Sequence, residues 1–319
     1  MMGKPDQEMR IVKGKNGIKI AAAALRSGDL AAFPTETVYG LGADATSDTA
    51  VAGIYEAKGR PKFNPLIIHA SDKDTLGSLV KWNNRAEILA DAFWPGPLTL
   101  VLPRAAGCPV SLLASAGLDT LGVRLPSLEL TRLLLQETEF PIAAPSANKS
   151  GHVSPTSAEH VATEFGEELP IILDGGRCKM GLESTVIDLT TNKSVLMRPG
   201  IISQERLQAT IGAIDSATSS SPVISPGMMD RHYAPSKPLR LNALTAEDNE
   251  ILLGFGPNTG SDVLNLSINA DLVEAASNLF SMLRELEQSD HECIAVMPIP
   301  RSGLGAAIND RLKRAATFA

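Results

Sequence analysis

Residues 33–42, which read FPTETVYGLG, and residues 58–69, which read KGRPKFNPLIIH, alternate short apolar runs with polar clusters. The apolar run that closes on Phe33 predicts a short buried strand, and the following proline ends it because proline cannot donate to a sheet ladder. A second apolar run, 66–68, predicts a strand that delivers His69. Polar side chains therefore follow two predicted strands at the points where the backbone leaves the sheet.

A helix is predicted between these two clusters, over residues 47–58. Val51, Ile54 and Tyr55 recur there at helical spacing, and a serine or an aspartate is available as the N-cap. Gly59 stands just past the predicted end, where glycine is the preferred residue. The cation-rich stretch that opens the second cluster therefore begins at the end of this helix.

Lys58, Arg60 and Lys62 place three cations within five residues. Taken alone, cations at a helix C-terminus offset the helix dipole for about 0.3–1 kcal/mol each, and that structural interpretation is the better one. The neighbouring Asn64 and His69 change the balance. Fixed cations beside an amide and an imidazole suit a polyanion such as a nucleoside triphosphate.

Size and composition limit the class of protein. The chain has 319 residues, which exceeds one typical domain, so two domains are expected. Its formal net charge of -7 argues against a broad grip on nucleic acid, so any RNA contact is expected to be local or made through partners. Three isolated cysteines and the lack of a long apolar run predict no disulfide framework, no zinc site and no membrane span. We expect a cytoplasmic protein.

Further polar motifs stand beside short predicted strands: 93–100 FWPGPLTL, 145–151 PSANKSG, 181–186 GLESTV, 198–200 RPG and 225–228 SPGM. The second of these crowds hydroxyls, an amide and a lysine into one loop. Such a loop can offer donors to phosphate oxygens or form a plain Ser/Asn turn, and its residues alone leave the two equal. Arg124, at a predicted strand end, can hold a carboxylate or form a surface ion pair.

Together these motifs resemble the signature of the YrdC family of L-threonylcarbamoyladenylate synthases, in the long form with an additional C-terminal domain. The resemblance is close over residues 15–240 and loose beyond them. It implies condensation of L-threonine, bicarbonate or CO2 and ATP to L-threonylcarbamoyladenylate, with release of pyrophosphate. The product would serve the machinery that transfers the threonylcarbamoyl group to ANN-decoding tRNAs, next to the anticodon.

The resemblance also implies which positions hold each substrate. Those for L-threonine are Thr37, His69, Arg124, Ala144 through its backbone, and Ser184. Those for ATP are Lys58, Arg60, Asn64, Thr120, Ser146, Asn148, Ser154, Arg198 and Tyr233. Lys58 and Arg60 are the expected catalytic pair, because the carbamate and the departing pyrophosphate both need fixed positive charge. Mg²⁺ is expected to bridge the ATP phosphates with few protein ligands, since the sequence shows no carboxylate cluster dedicated to it.

Resemblance and periodicity together predict an α/β protein. Residues 1–212 are expected to form a YrdC-like open, twisted, mixed sheet flanked by helices, and residues 239–319 a small Rossmann-like parallel α/β domain. Residues 213–238 are rich in Ser, Pro, Ala and Gly and predict a linker, which the resemblance implies returns to cover the active site. Leu128-Glu129 and Met229-Asp230 depart from the family pattern, so the contacts of their segments are expected to differ.

Two other functions remain open on the sequence. A nucleic-acid-binding module is disfavoured by the net acidity and by the lack of aromatic residues between the basic ones. Carbamoyl transfer in hydrogenase maturation uses the same core with added zinc-finger and acylphosphatase-like regions, and this chain lacks the cysteines of the first. His69 and His232 also fit a structural interpretation. The C-terminal domain fits a lid anchor, a partner surface or an allosteric element.

Overall fold

A computed structural model describes residues 10–217, 232–257 and 263–317. Its strands are β1 (Arg10–Lys13), β2 (Ala31–Phe33), β3 (Gly40–Asp44), β4 (Ile67–His69), β5 (Leu98–Pro103), β6 (Thr120–Arg124), β7 (Ile142–Ala143), β8 (Ile171–Asp174), β9 (Thr185–Asp188), β10 (Val195–Arg198), β11 (Asp215–Ser216), β12 (Leu239–Leu241), β13 (Glu250–Gly254), β14 (Leu264–Asn265) and β15 (Cys293–Val296). Its helices are α1 (Gly14–Arg26), α2 (Asp48–Lys58), α3 (Lys73–Leu79), α4 (Asn84–Phe93), α5 (Glu129–Thr138), α6 (Ala158–Phe165), α7 (Gln204–Ile211), α8 (Leu272–Glu287) and α9 (Leu304–Ala315), with one 3-10 turn at Gly166–Glu168.

In the described ranges the strands form two sheets. The larger is mixed, with the order β1-β8-β2-β3-β7-β4-β6-β5-β9-β10-β11. The smaller is parallel throughout, with the order β12-β15-β13-β14. Most strands of the larger sheet are short and buried, as in 98–102, which agrees with helices covering both faces. The predicted fold class, a mixed α/β sheet plus a small parallel α/β domain, is confirmed.

The larger sheet ends inside the stretch predicted as a linker. Strand β11 pairs in parallel with β10, although its two residues are polar and exposed and carry no apolar signal. Most of the predicted linker, residues 218–231, lies outside the described residues. Most of the predicted cover over the active site, and the Met229-Asp230 departure, fall in that range. The smaller sheet begins at Leu239.

Helix α2 has the boundaries that the sequence predicts. The Ser47 side chain accepts a hydrogen bond from the Ala50 amide and caps the helix, which begins at Asp48. Gly59 ends it with φ of 58°, a left-handed conformation that costs glycine little. Lys58, the last residue of the helix, is buried, so this terminus points into the protein.

Strands β4 and β6 lie side by side at the centre of the larger sheet and run parallel. Their register pairs His69 with Arg124 and Ile67 with Gly122. Because parallel strands end at the same edge of a sheet, His69 and Arg124 leave it as neighbours. The same register puts Thr120 at the opposite end of β6.

The two domains share an apolar core at their interface. Val38, Val153 and Leu182 of the first domain pack in one cluster with residues of α8 and α9. Gly181 lies directly against the backbone of α8, where an added Cβ would stand 2.6 Å from both the Ala276 carbonyl oxygen and the Ser277 Cα. Its φ of 69° also favours glycine. This position therefore sets how closely the domains approach.

Gly181→Ala is expected to lower the free energy of unfolding by at least about 2 kcal/mol, because the methyl group collides with backbone that cannot move aside. Urea unfolding at 25 °C measures the change. Gly77→Ala is the matched control: its Cβ would meet nothing within 4 Å in helix α3, so a gain of about 0.4–1 kcal/mol is expected. Equal midpoints for the two variants would contradict the close approach at Gly181.

Candidate active site

Strand ends from four parts of the chain meet at one edge of the larger sheet. Strands β6 and β10 end there, and β5 and β9 begin there. A cavity opens at this edge. The predicted site residues that line it are Thr37, Arg60, His69, Arg124, Ala144, Ser146, Ser184 and Arg198. The structure thus brings together positions that are up to 161 residues apart in the sequence, from Thr37 to Arg198.

The other predicted residues lie behind the cavity lining or away from it. Four of them, Lys58, Asn148, Ser154 and Tyr233, are buried. Lys58, Ser154 and Tyr233 each contact or adjoin a lining residue, and Asn148 contacts Lys58. The carbonyl of Asn64 accepts a hydrogen bond from Arg60 Nε at 3.1 Å. Thr120 is outside the lining, at the far end of β6 from Arg124. Its assignment to ATP stays a prediction.

A hydrogen-bonded turn positions Thr37. The Thr35 hydroxyl oxygen accepts from the amides of Thr37 at 3.1 Å and Val38 at 3.2 Å, and it donates to the Val38 carbonyl at 2.7 Å. The hydroxyls of Thr35 and Thr37 are themselves 2.7 Å apart. A threonine that satisfies its own turn in this way fixes the backbone without a regular element. Thr37 is therefore held rigidly in the cavity wall.

Lys58 is a buried cation with neutral partners. Its Nζ donates to the Ser146 carbonyl at 2.6 Å and to the Asn148 carbonyl. Burial, and after it the charge of Arg60, hold the pKa of Lys58 well below its ordinary value of 10.5. An anion bound nearby would favour the charged ammonium. Binding of a phosphate or a carbamate beside Lys58 would therefore raise the pKa of its ammonium group.

Arg60 is held by backbone carbonyls as well. In addition to the bond to Asn64, its Nη2 donates to the Pro65 carbonyl at 3.0 Å. Burial lowers the pKa of the guanidinium to about 10. In the described structure Lys58 and Arg60 donate to carbonyl oxygens, so their positive charges are solvated by backbone dipoles and form no ion pair with a carboxylate.

Arg124 already holds a carboxylate within the protein. Its Nη2 is 2.7 Å from Glu36 Oε1, and both side chains are buried. Its Nε donates to the Gly96 carbonyl at 3.3 Å, and the Ser127 amide donates to the second Glu36 oxygen at 3.2 Å. The sequence predicts that Arg124 binds a substrate carboxylate. The structure shows that Glu36 orients its guanidinium, and the substrate role stays a prediction.

Ser184 and Arg198 form a second fixed corner of the cavity. Arg198 donates through Nε and Nη2 to the Ser184 carbonyl at 3.1 and 3.0 Å, and through Nη2 to the Ser184 hydroxyl at 3.1 Å. That hydroxyl lies 2.8 Å from Thr99 Oγ1. The antiparallel pairing of β9 and β10 brings the two residues together, because Arg198 lies opposite Val186.

The acidic side chain and one histidine of the lining, Glu183 and His232, are absent from the set predicted from the sequence. Glu183 accepts a hydrogen bond from Ser154 Oγ at 2.5 Å and pairs with Arg311 Nε at 2.9 Å. Arg311 belongs to α9 and is completely buried. Glu183 stands in the quoted motif 181–186, which is the one sequence signal that could have identified it.

Both histidines at the cavity are neutral at pH 7. Burial, and next the charge of Arg124, lower the pKa of His69 to about 3. Burial, followed by the charges of Arg60 and Lys58, holds the pKa of His232 well below its ordinary value. A neutral imidazole can donate or accept a hydrogen bond without adding charge. These side chains therefore suit recognition of polar groups.

Fixed positive charge exceeds fixed negative charge around the cavity. The buried basic side chains there are Lys58, Arg60, Arg124, Arg198 and Arg311, and the buried carboxylates are Glu36 and Glu183. Both carboxylates are paired with an arginine, at Arg124 and Arg311. Such a wall favours a multiply charged anion.

Two negative findings apply to the described ranges alone. These residues contain no group of three or more His, Cys, Asp or Glu side chains that could hold a metal ion. Their helices include none with the length and apolar character needed to cross a bilayer.

Two family profiles match the chain. The Sua5/YciO/YrdC family profile, described as "Telomere recombination", matches residues 23–200, and the profile described as "Threonylcarbamoyl-AMP synthase, C-terminal domain" matches residues 202–317. The threonylcarbamoyl-AMP synthase of Pyrococcus abyssi is 42% identical over 94% of each chain. That of Bacillus subtilis is 40% identical, over 93% of this chain and 92% of its own. The crystal structure of P. abyssi Sua5 complexed with L-threonine superposes with a TM-score of 0.89, at 40% identity over 97% of each chain.

The neutral state of His69 predicts a pH dependence of stability. Below pH 6.5 the unfolded chain binds a proton at this residue that the folded protein excludes until about pH 3. The free energy of unfolding should therefore decrease as the pH is lowered through this window, by up to about 1.4 kcal/mol per pH unit from His69. Urea unfolding between pH 6.5 and pH 5 should show a shallower slope for His69→Gln than for the wild type. His291→Gln, at an exposed histidine, is the control, and equal slopes for His69→Gln and wild type would show that folded His69 is protonated.

Proposed function

The chain belongs to the Sua5/YciO/YrdC family, and on this basis we propose that its cavity makes threonylcarbamoyl-AMP from L-threonine, bicarbonate or CO2 and ATP. The relatives from P. abyssi and B. subtilis match more than nine-tenths of its length and are named threonylcarbamoyl-AMP synthases. The L-threonine complex of the P. abyssi protein supports threonine as a substrate. The single observation that carries the proposal is the group of buried cations at the cavity, of which Lys58 and Arg60 donate to neutral carbonyl oxygens.

These cations suit an ATP triphosphate. Lys58 and Arg60 can bind phosphate oxygens without first breaking an ion pair, because their partners are carbonyl oxygens. Arg198 extends the same wall on the side of Ser184. In the reaction, a carbamate oxygen of N-carboxylated threonine attacks the α-phosphorus, and the bond to the pyrophosphate oxygen breaks. Fixed positive charge offsets the negative charge that develops on both groups.

The hydroxyls and the arginine of the cavity suit L-threonine. Arg124, oriented by Glu36 and Gly96, receives the amino-acid carboxylate. Neutral His69 and the hydroxyls of Thr37 and Ser184 are available to its polar groups. A site built to hydrogen-bond a substrate hydroxyl strongly disfavours analogues without one, since its own polar groups would stay unsatisfied.

Positioning supplies much of the expected rate enhancement. The carbamate is unstable in water, and the lining residues of the cavity are nearly all buried. Holding the carbamate in line with the α-phosphate can contribute about 7–11 kcal/mol through orientation alone. The proposed mechanism needs neither a covalent nucleophile nor a general base from the protein.

Mg²⁺ enters this proposal as the complex with ATP. Glu183, the carboxylate in the wall, is engaged by Arg311 and Ser154, and the described residues form no metal-binding cluster. The ion would therefore be held chiefly by phosphate oxygens and water, as Mg²⁺ prefers. Transfer of the product to tRNA by partner proteins, weak tRNA contact and a cytoplasmic location also stay predictions.

A pyrophosphate-release assay tests the proposed function. The purified protein is incubated with ATP, Mg²⁺ and bicarbonate, and each of the twenty amino acids is added in turn. We expect release that depends on both L-threonine and bicarbonate, with the adenylate detected by mass spectrometry. Release that ignores the amino acid would contradict the proposal. ATP and threonine binding without release would favour a binding module.

Lys58→Ala should lower turnover strongly while the fold survives. Loss of one preorganised charge-stabilising group costs on the order of 10²–10³ in kcat. Removal of an uncompensated buried charge should leave thermal stability unchanged or slightly raised. Lys73→Ala is the control: this lysine pairs with Glu87 and Asp91 at the surface, so near-wild-type turnover is expected. Wild-type turnover in Lys58→Ala would reject the catalytic assignment.

A further inference from the structure

An arginine of the C-terminal domain contributes to the wall of the proposed ATP cavity. Arg311 lies on α9 and has no exposed side-chain surface. Its Nε is 2.9 Å from Glu183 Oε2, and its Nη1 donates to the Pro199 carbonyl at 2.9 Å and to Asp310 at 2.7 Å. Helix α9 therefore inserts a cation into the first domain, beside the Arg198 corner of the cavity.

The partner of Arg311 is the carboxylate that lines the cavity. Glu183 is buried, and its second oxygen accepts the hydrogen bond from Ser154, a residue predicted to hold ATP. A bare carboxylate in this wall would repel the triphosphate. Pairing with Arg311 removes that repulsion and leaves the excess of positive charge in place.

Arg311 also contacts the segment that carries His232 and Tyr233. Its guanidinium carbon lies 5.0 Å from the centre of the Tyr233 ring. Tyr233 stacks on Phe280 of α8 at 5.6 Å, and its neighbour His232 lines the cavity. One side chain thus joins α9, the Glu183 loop and the His232-Tyr233 pair.

We propose that Arg311 is a positioning residue of the ATP site, which neutralises Glu183 and fixes Tyr233. The C-terminal domain then completes the nucleotide pocket, which goes beyond a role as an anchor or a partner surface. This inference rests on the proposed function. It differs from an ordinary interdomain contact, for which the same interface offers a comparison.

That comparison is the pair formed by Arg284 of α8 and Glu164 of α6. The two side chains are nearly buried and lie 2.7 Å apart, much as Arg311 and Glu183 do. Neither Arg284 nor Glu164 lines the cavity. Arg284→Met is therefore the matched control for loss of an interdomain ion pair.

The experiment titrates MgATP into wild type, Arg311→Met, Arg284→Met and the double variant Arg311→Met/Glu183→Gln by calorimetry, with thermal unfolding recorded for each. Arg311→Met is expected to weaken MgATP binding at least about tenfold, because an unpaired carboxylate then faces the phosphates. Arg284→Met is expected to lower the melting temperature similarly and to leave the Kd within about twofold. The double variant should recover most of the lost affinity, since its wall carries no unpaired carboxylate.

Two outcomes would overturn the inference. One is an unchanged MgATP Kd in Arg311→Met, and the other is a double variant that binds no better than Arg311→Met. If Arg311→Met does not fold, Arg311→Lys is the test variant, because lysine keeps the positive charge. Its Kd for MgATP is expected to lie within about threefold of the wild-type value. A tenfold loss of affinity in folded Arg311→Lys would contradict the charge argument. A wild type that binds MgATP but releases no pyrophosphate would refute the proposed function while this comparison stays valid.

Discussion

Positive charge buried without matching negative charge is the constraint on which this structure depends. Lys58 and Arg60 donate to carbonyl oxygens in the described structure, and burial lowers the pKa of both. Removing cations from water without pairing them destabilises the fold. A phosphate-bearing ligand offsets that cost, because its charge supplies the missing partner. The same feature that weakens the ligand-free protein therefore favours ATP.

The rest of the fold places further polar side chains around the cavity beside these two cations. Helix α2 ends at Lys58 because Gly59 takes the left-handed conformation. The parallel register of β4 and β6 sets His69 beside Arg124. The C-terminal domain packs against the first domain so closely that the backbone of α8 leaves no room for a side chain at position 181. Each of these elements has regular geometry, and the site forms where the ends of several elements meet.

Local structure could be predicted from the sequence, whereas contacts between distant residues could not. A serine cap and a terminal glycine identify α2 because those signals act within one helical turn. Strand β11 escaped prediction because two polar residues carry no periodic signal. The pairing of Arg311 with Glu183 spans 128 residues, and nothing in an amphipathic helix marks one arginine as buried. Glu36 was visible in the opening motif, but its pairing with Arg124 depends on how the strands assemble.

A co-crystal structure with L-threonine and a non-hydrolysable ATP analogue tests the central claim most directly. The account predicts that phosphate oxygens lie within hydrogen-bonding distance of Lys58 and Arg60, with the amino-acid carboxylate on Arg124. A nucleotide bound elsewhere, with Lys58 and Arg60 still bonded to carbonyl oxygens alone, would contradict it.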